Sequence, residues 1–116
     1  MAPDPDEPLP TSFSSVPKSL IEEVRKIVEP KGVTALRPVY EEAITRLCDE
    51  LDGGLVIDVW PASRPGLAGA KETVRLSPEV TERMNRIVRQ HNTRKGIFFR
   101  VALVRWLVRQ GVDYPL

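Results

Sequence analysis

Residues 71–80 read Lys-Glu-Thr-Val-Arg-Leu-Ser-Pro-Glu-Val. Val74 and Leu76 fall on one side of an extended chain, and Lys71, Thr73 and Arg75 fall on the other. Alternation of this kind is the mark of a half-buried strand. Ser77-Pro78 follows at once, a helix N-cap with proline at the first helical position, where its missing N–H costs least. A strand that runs directly into a capped helix decides the fold. Past this stretch, Val80, Met84, Ile87 and Val88 repeat at i, i+4, i+7, i+8, which predicts an amphipathic helix. His91-Asn92-Thr93 breaks it. A last helix begins near Arg94–Gly96, places Phe99, Ala102, Leu103, Trp106 and Leu107 on its inner face, and ends at Gly111.

The N-terminal half carries the same pattern. Residues 18–29 predict a helix with Leu20, Val24, Ile27 and Val28 inside and Glu22, Glu23, Arg25 and Lys26 opposite, stopped by Pro30 and Gly32. A second helix holds Val39, Ala43, Ile44, Leu47 and Leu51, with Thr34 as N-cap, Pro38 in the first turn and Gly53-Gly54 at its end. A shift of 60 residues aligns the halves without a gap, setting Val16 on Leu76, Val24 on Met84, Ile44 on Val104 and Leu47 on Leu107. Only 4 positions between 16 and 48 are identical, so the signal is the coincidence of both apolar stripes and both helix breaks at one offset. The competing reading is that any two amphipathic helix pairs can be slid into phase.

A single strand–helix–turn–helix unit is too small to bury its apolar faces, and a lone strand leaves its backbone groups unpaired. The expected fold is therefore mostly α with a short β-ribbon. Two such units in one chain share one core, and their strands pair antiparallel. The boundaries read as an acidic, Pro-rich disordered leader (1–10), repeat one (11–50), a connector (51–70) and repeat two (71–111), the domain spanning 11–116. Within the connector, residues 55–60 (Leu-Val-Ile-Asp-Val-Trp) predict a short extended segment packed on the core.

Composition narrows the function. The 116 residues fit one domain, and 41% hydrophobic content permits a core. A net charge of +1 hides an asymmetry: residues 1–70 hold 7 basic and 12 acidic side chains, whereas residues 71–116 hold 10 and 4. A basic C-terminal half points to a polyanionic partner. No apolar run is long enough to span a bilayer, and the acidic start is the opposite of a signal peptide. One cysteine, Cys48, excludes an internal disulfide and fits a reducing cytoplasm. With one histidine, His91, there are too few soft ligands for structural zinc. No nucleophile–base pair or phosphate-binding glycine loop is present, so no enzyme activity, metal or cofactor is assigned.

The strand KETVRLSPEV with its two following helices resembles the ribbon-helix-helix (MetJ/Arc) family of DNA-binding proteins. The resemblance covers residues 11–48 and 71–110 and implies that the ribbon enters the major groove of double-stranded DNA. It makes Lys71, Thr73 and Arg75 the base-reading face of repeat two, with Thr11, Phe13 and Ser15 as counterparts in repeat one. It makes the start of the second helix of each unit a phosphate site: Arg94, Lys95 and Gly96 in repeat two, and Thr34 and Ala35, with Lys31, in repeat one. Both units lying on one chain resembles a tandem form of the family that serves as an accessory factor in T-DNA or conjugative DNA processing. That implies a monomeric pseudo-dimer and a ParA-like ATPase or relaxase complex as partner.

Plainer readings stand beside these. Lys71, Thr73 and Arg75 could be a solvated edge strand, and Arg94 and Lys95 a solvated turn. Cations at a helix start oppose the helix dipole, however, and are better explained by an anion. Phe13 is read as a surface residue of the ribbon, Arg83, Arg86 and Arg89 as a solubilising helix face, and Phe98, Phe99, Trp106 and Cys48 as core. A plasmid transcriptional or partition regulator would use the same ribbon. A protein-interaction adaptor for an ATPase or relaxase would instead work through the acidic first half.

Overall fold

The computed structural model describes residues 9–31, 36–57, 60 and 69–114. Chain order is strand β1 (Leu9–Pro17), helix α1 (Lys18–Val28), a 3-10 turn (Glu29–Lys31), helix α2 (Leu36–Asp52), strand β2 (Gly69–Leu76), helix α3 (Pro78–Gln90) and helix α4 (Lys95–Arg109). The protein is mostly helical with one two-stranded antiparallel sheet. Each strand is longer than the alternation indicates: β1 starts at Leu9, inside the expected leader, and β2 at Gly69, inside the expected connector. Strand pairing satisfies backbone groups irrespective of side-chain pattern, so it extends past the alternating residues.

The strand-to-helix junction forms as its sequence dictates. Ser77 is extended (φ −63°, ψ 147°), its Oγ accepts from the Val80 N–H at 3.4 Å, and Pro78 occupies the first turn. The same hydroxyl donates to Glu41 Oε2 at 3.3 Å, which ties the cap of α3 to α2. His91 closes α3, its N–H donating to Ile87 O at 2.9 Å, and Asn92 takes a left-handed φ of 51° that turns the chain toward α4. Asparagine tolerates this conformation better than most residues.

The helices pack across the two halves of the sequence. α2 lies against α4 and α3, α1 against α4, β1 against α4, and β2 against α2. Side chains from β1, β2 and all four helices merge in one buried cluster that includes Phe13, Val16, Leu20, Ile44, Leu47, Leu76, Met84, Ile87, Phe98, Phe99, Leu103 and Leu107. Positions aligned by the 60-residue shift are buried together at Val24 and Met84, Val28 and Val88, Ala43 and Leu103, and Leu47 and Leu107. Cys48 breaks the correspondence: it is buried, while Val108 is 57% exposed. Of the connector, Leu55, Ile57 and Trp60 pack on the core as expected, and Val56 faces solvent. Among the described residues no helix is long and apolar enough to cross a membrane.

Candidate nucleic-acid interface

The ribbon has two faces of different chemistry. Paired residues of an antiparallel ladder share a face, and the register sets Pro10 opposite Arg75, Thr11 opposite Val74, Ser12 opposite Thr73 and Phe13 opposite Glu72. Pro10, Ser12, Lys71, Thr73 and Arg75 are exposed, whereas Thr11, Phe13, Val74 and Leu76 are buried. Ser12 Oγ and Thr73 Oγ1 meet at 3.2 Å in the middle of the exposed face. At about 3.4 Å per residue, Lys71 and Arg75 stand roughly 13–14 Å apart along their strand with Thr73 between them. Among the described residues this face carries two cations, Lys71 and Arg75, two hydroxyls, Ser12 and Thr73, and no carboxylate.

Lys71, Thr73 and Arg75 of repeat two are exposed, while the outward placement expected of Thr11 and Phe13 in repeat one is corrected. Thr11 is 7% exposed and Phe13 0%, so both are buried and neither faces solvent. The cause is a β-bulge. Phe13 pairs with Glu72 and Val16 with Ala70, so Ser14 and Ser15 together oppose Lys71. An extra residue reverses the in–out alternation on either side of it. Counting back from the inward Val16 by twos assigns Thr11, Phe13 and Ser15 to the outer face. Crossing the bulge puts Phe13 inside and leaves Ser12 as the outward residue. Ser15 lies in the bulge, and its side chain is outside the described residues. The missed residue is Ser12, and the signal was Phe13: a large aromatic on a nominally solvent-facing position marks a change of phase.

Phe13 is instead the anchor between ribbon and helices. Its ring stacks on Phe99 of α4 at 4.1 Å between centroids and 10° between planes. Tyr40 of α2 meets Phe99 edge-on at 5.3 Å. Burial, reinforced by the nearby Glu72 charge, pushes the Tyr40 hydroxyl up to about 12, so it stays protonated at neutral pH. Since Phe99 is one helical turn past Lys95, this stacking also brings the start of α4 beside the ribbon.

At that start Arg94 is extended (φ −120°, ψ 153°) and its carbonyl accepts from Phe98 N–H at 2.8 Å. No side chain caps the helix and its first turn holds no acid. Arg94 and Lys95 are exposed, and Gly96 is half-buried. The first N–H groups of a helix lack intrahelical acceptors, so they and two full positive charges face the same region. Trp60 of the connector packs behind the turn, 6.2 Å from the His91 ring and 6.4 Å from Phe98. In repeat one, Thr34 and Ala35 lie outside the described residues, as does the side chain of Lys31.

Elsewhere, arginines bind acids across helices. Arg83, expected as part of a solubilising face, pairs with Asp49 at 2.7 Å and Asp52 at 2.8 Å and so clamps α3 to α2, whereas Arg86 and Arg89 are exposed. Cys48 is buried, and desolvation pushes its thiol up to about 11. Phe98, Phe99 and Trp106 are core, as their spacing indicates. No protein-family model matches this chain, and no solved structure matches it.

Proposed function

We propose that the protein binds double-stranded DNA sequence-specifically, laying the outer face of its two-stranded ribbon in the major groove. The observation that carries this reading is that Lys71, Thr73, Arg75 and Ser12 occupy the one exposed face of a β-ribbon anchored to helices from beneath. A two-stranded ribbon fits the major groove, where each base pair shows a distinct pattern of donors and acceptors. Arg75 can donate two parallel hydrogen bonds to guanine O6 and N7, Lys71 can donate to the same edge, and Thr73 and Ser12 can donate, accept or meet a thymine methyl. The start of α4, with Arg94 and Lys95, then holds a phosphate beside the groove. No metal or cofactor takes part.

In this reading the chain is a ribbon-helix-helix pseudo-dimer, two units joined in one polypeptide. The crossed packing of α1 on α4 and α3 on α2 supports it, because each unit covers the other's apolar face. The setting we infer, an accessory role in T-DNA or conjugative DNA processing beside a ParA-like ATPase or relaxase, rests on the tandem resemblance. A plasmid regulator would share the ribbon. Against an adaptor working through the acidic first half stands the pairing of four of its acids, Glu41, Asp49, Glu50 and Asp52, with arginines of the same chain.

Mobility shifts on cognate and random duplexes test the proposal. Arg75→Ala should cost about 1–3 kcal/mol on the cognate site and relax one base pair of specificity. Lys95→Ala should weaken both duplexes alike and lower the salt slope by about 1. Equal losses on both duplexes for Arg75→Ala would remove its base-reading role, and binding that ignores salt would remove the DNA reading.

A further inference from the structure

The C-terminal halves of α2 and α4 form a second basic site far from the ribbon. An open groove of about 380 Å³ runs between them, lined by Arg46, Glu50, Arg105, Val108 and Arg109. Val108 is nine residues past Phe99, roughly 13–14 Å farther along the helix from the ribbon. Three guanidinium groups line it beside a single carboxylate, Glu50. Arg105 hydrogen-bonds Glu50 Oε2, and Arg109 Nη1 lies 3.4 Å from Glu50 Oε1. Arg46, exposed on α2, has no ion pair among the described residues. Burial, and then the neighbouring charges of Arg46 and Arg105, disfavour the charged form of Arg109, against the attraction of Glu50 and of Glu42, one turn back on α2. Counting Glu42 as well, the groove remains positive. Val108 adds an apolar shelf, 57% exposed.

We propose that this groove docks an acidic segment of a partner protein, with carboxylates on Arg46 and Arg109 and an aliphatic side chain on Val108. The planar guanidinium fork matches carboxylate geometry, and Glu50 shows that a carboxylate fits between Arg105 and Arg109. A nucleic-acid backbone offers only the small CH and CH2 groups of its sugars against Val108, whereas a leucine side chain can cover it, so the charge and the shelf together favour an acidic peptide. The groove lies away from the ribbon, so its occupant and the ribbon's ligand do not compete. The inference does not depend on what the ribbon binds.

Fluorescence anisotropy tests it, using the full chain and a labelled peptide of about twelve Glu, Leu and Ala residues. The peptide should bind saturably, and Arg46→Glu with Arg109→Glu should weaken it about tenfold or more. Val108→Ser, or a peptide with serine for leucine, should weaken binding about threefold to tenfold, while Arg75→Ala should change nothing. Arg46→Glu and Val108→Ser alter exposed side chains, so circular dichroism should show both folded; they carry the test if the double variant unfolds. The proposal is overturned if the wild type does not bind the peptide, if Arg46→Glu and Val108→Ser both bind it as the wild type does, or if leucine can be replaced without loss. It is equally overturned if a short DNA duplex displaces the peptide from the Arg75→Ala variant, since the groove would then be a general polyanion site.

Discussion

Replacing Phe13 by alanine separates the two roles open to this side chain. As a surface residue of the ribbon it would contribute little to stability and something to DNA contact. The structure makes it fully buried, with its ring stacked on Phe99 at 4.1 Å and Phe99 in turn held by Tyr40. Burying a phenylalanine side chain is worth about 1.5–3 kcal/mol, and an aromatic pair adds about 0.5–1.5 kcal/mol. The ribbon hydrogen bonds prevent β1 from sinking to fill the space, so a cavity term adds to these, giving about 3–5 kcal/mol in total. A domain of this size is stable by about 5–15 kcal/mol, so Phe13→Ala should remain folded but lose a large share of its margin. With a urea slope of about 2 kcal/mol per molar, the midpoint should fall by about 2 M. Phe13→Leu, which refills most of the volume, should lose less. DNA affinity should be unchanged once the protein is shown to be folded in the binding buffer. A loss of stability below about 1 kcal/mol, with DNA binding abolished, would refute the buried anchor and the bulge that places it.

Three further outcomes follow from particular contacts. Ser77→Ala removes both the cap of α3 and the bond to Glu41 and should cost about 1 kcal/mol in urea denaturation, whereas Ser12→Ala, on the exposed face, should cost less. The hydrogen bond from Arg83 holds the Asp52 carboxyl below its ordinary 3.8; its contribution to stability is therefore present above pH 3.8 and lost as pH falls through the folded-state value. Arg83→Ala should flatten this acid limb in urea midpoints taken across pH, and an unchanged limb would count against the clamp. If the halves complete each other as proposed, sedimentation equilibrium at low micromolar concentration should show a monomer, and an obligate dimer would refute the single-chain pseudo-dimer.

The helices and the second strand were legible because their signals are local. Val80, Met84, Ile87 and Val88 define a helical face by spacing alone, and Ser77-Pro78 marks where the helix starts. The alternation of residues 71–76 correctly separates Lys71, Thr73 and Arg75 from Val74 and Leu76. The face of β1 was not legible. A bulge depends on which residue of another strand lies opposite, and Ser14 and Ser15 share one partner only because β2 pairs where it does. One unforeseen residue inverts the alternation beyond it, which moved Phe13 from surface to core and brought Ser12 outward.

Charge shows the same division. Composition along the chain separates an acidic half from a basic one, but it cannot say which charges meet. Folding spends Arg83 on Asp49 and Asp52 and sets Arg105 and Arg109 on Glu50, while Lys71, Arg75, Arg94 and Lys95 remain exposed. Residue order determines periodic faces, caps and turns, because these involve neighbours a few positions apart. Strand register and ion pairs between helices join residues dozens of positions apart, so only the packed chain decides them.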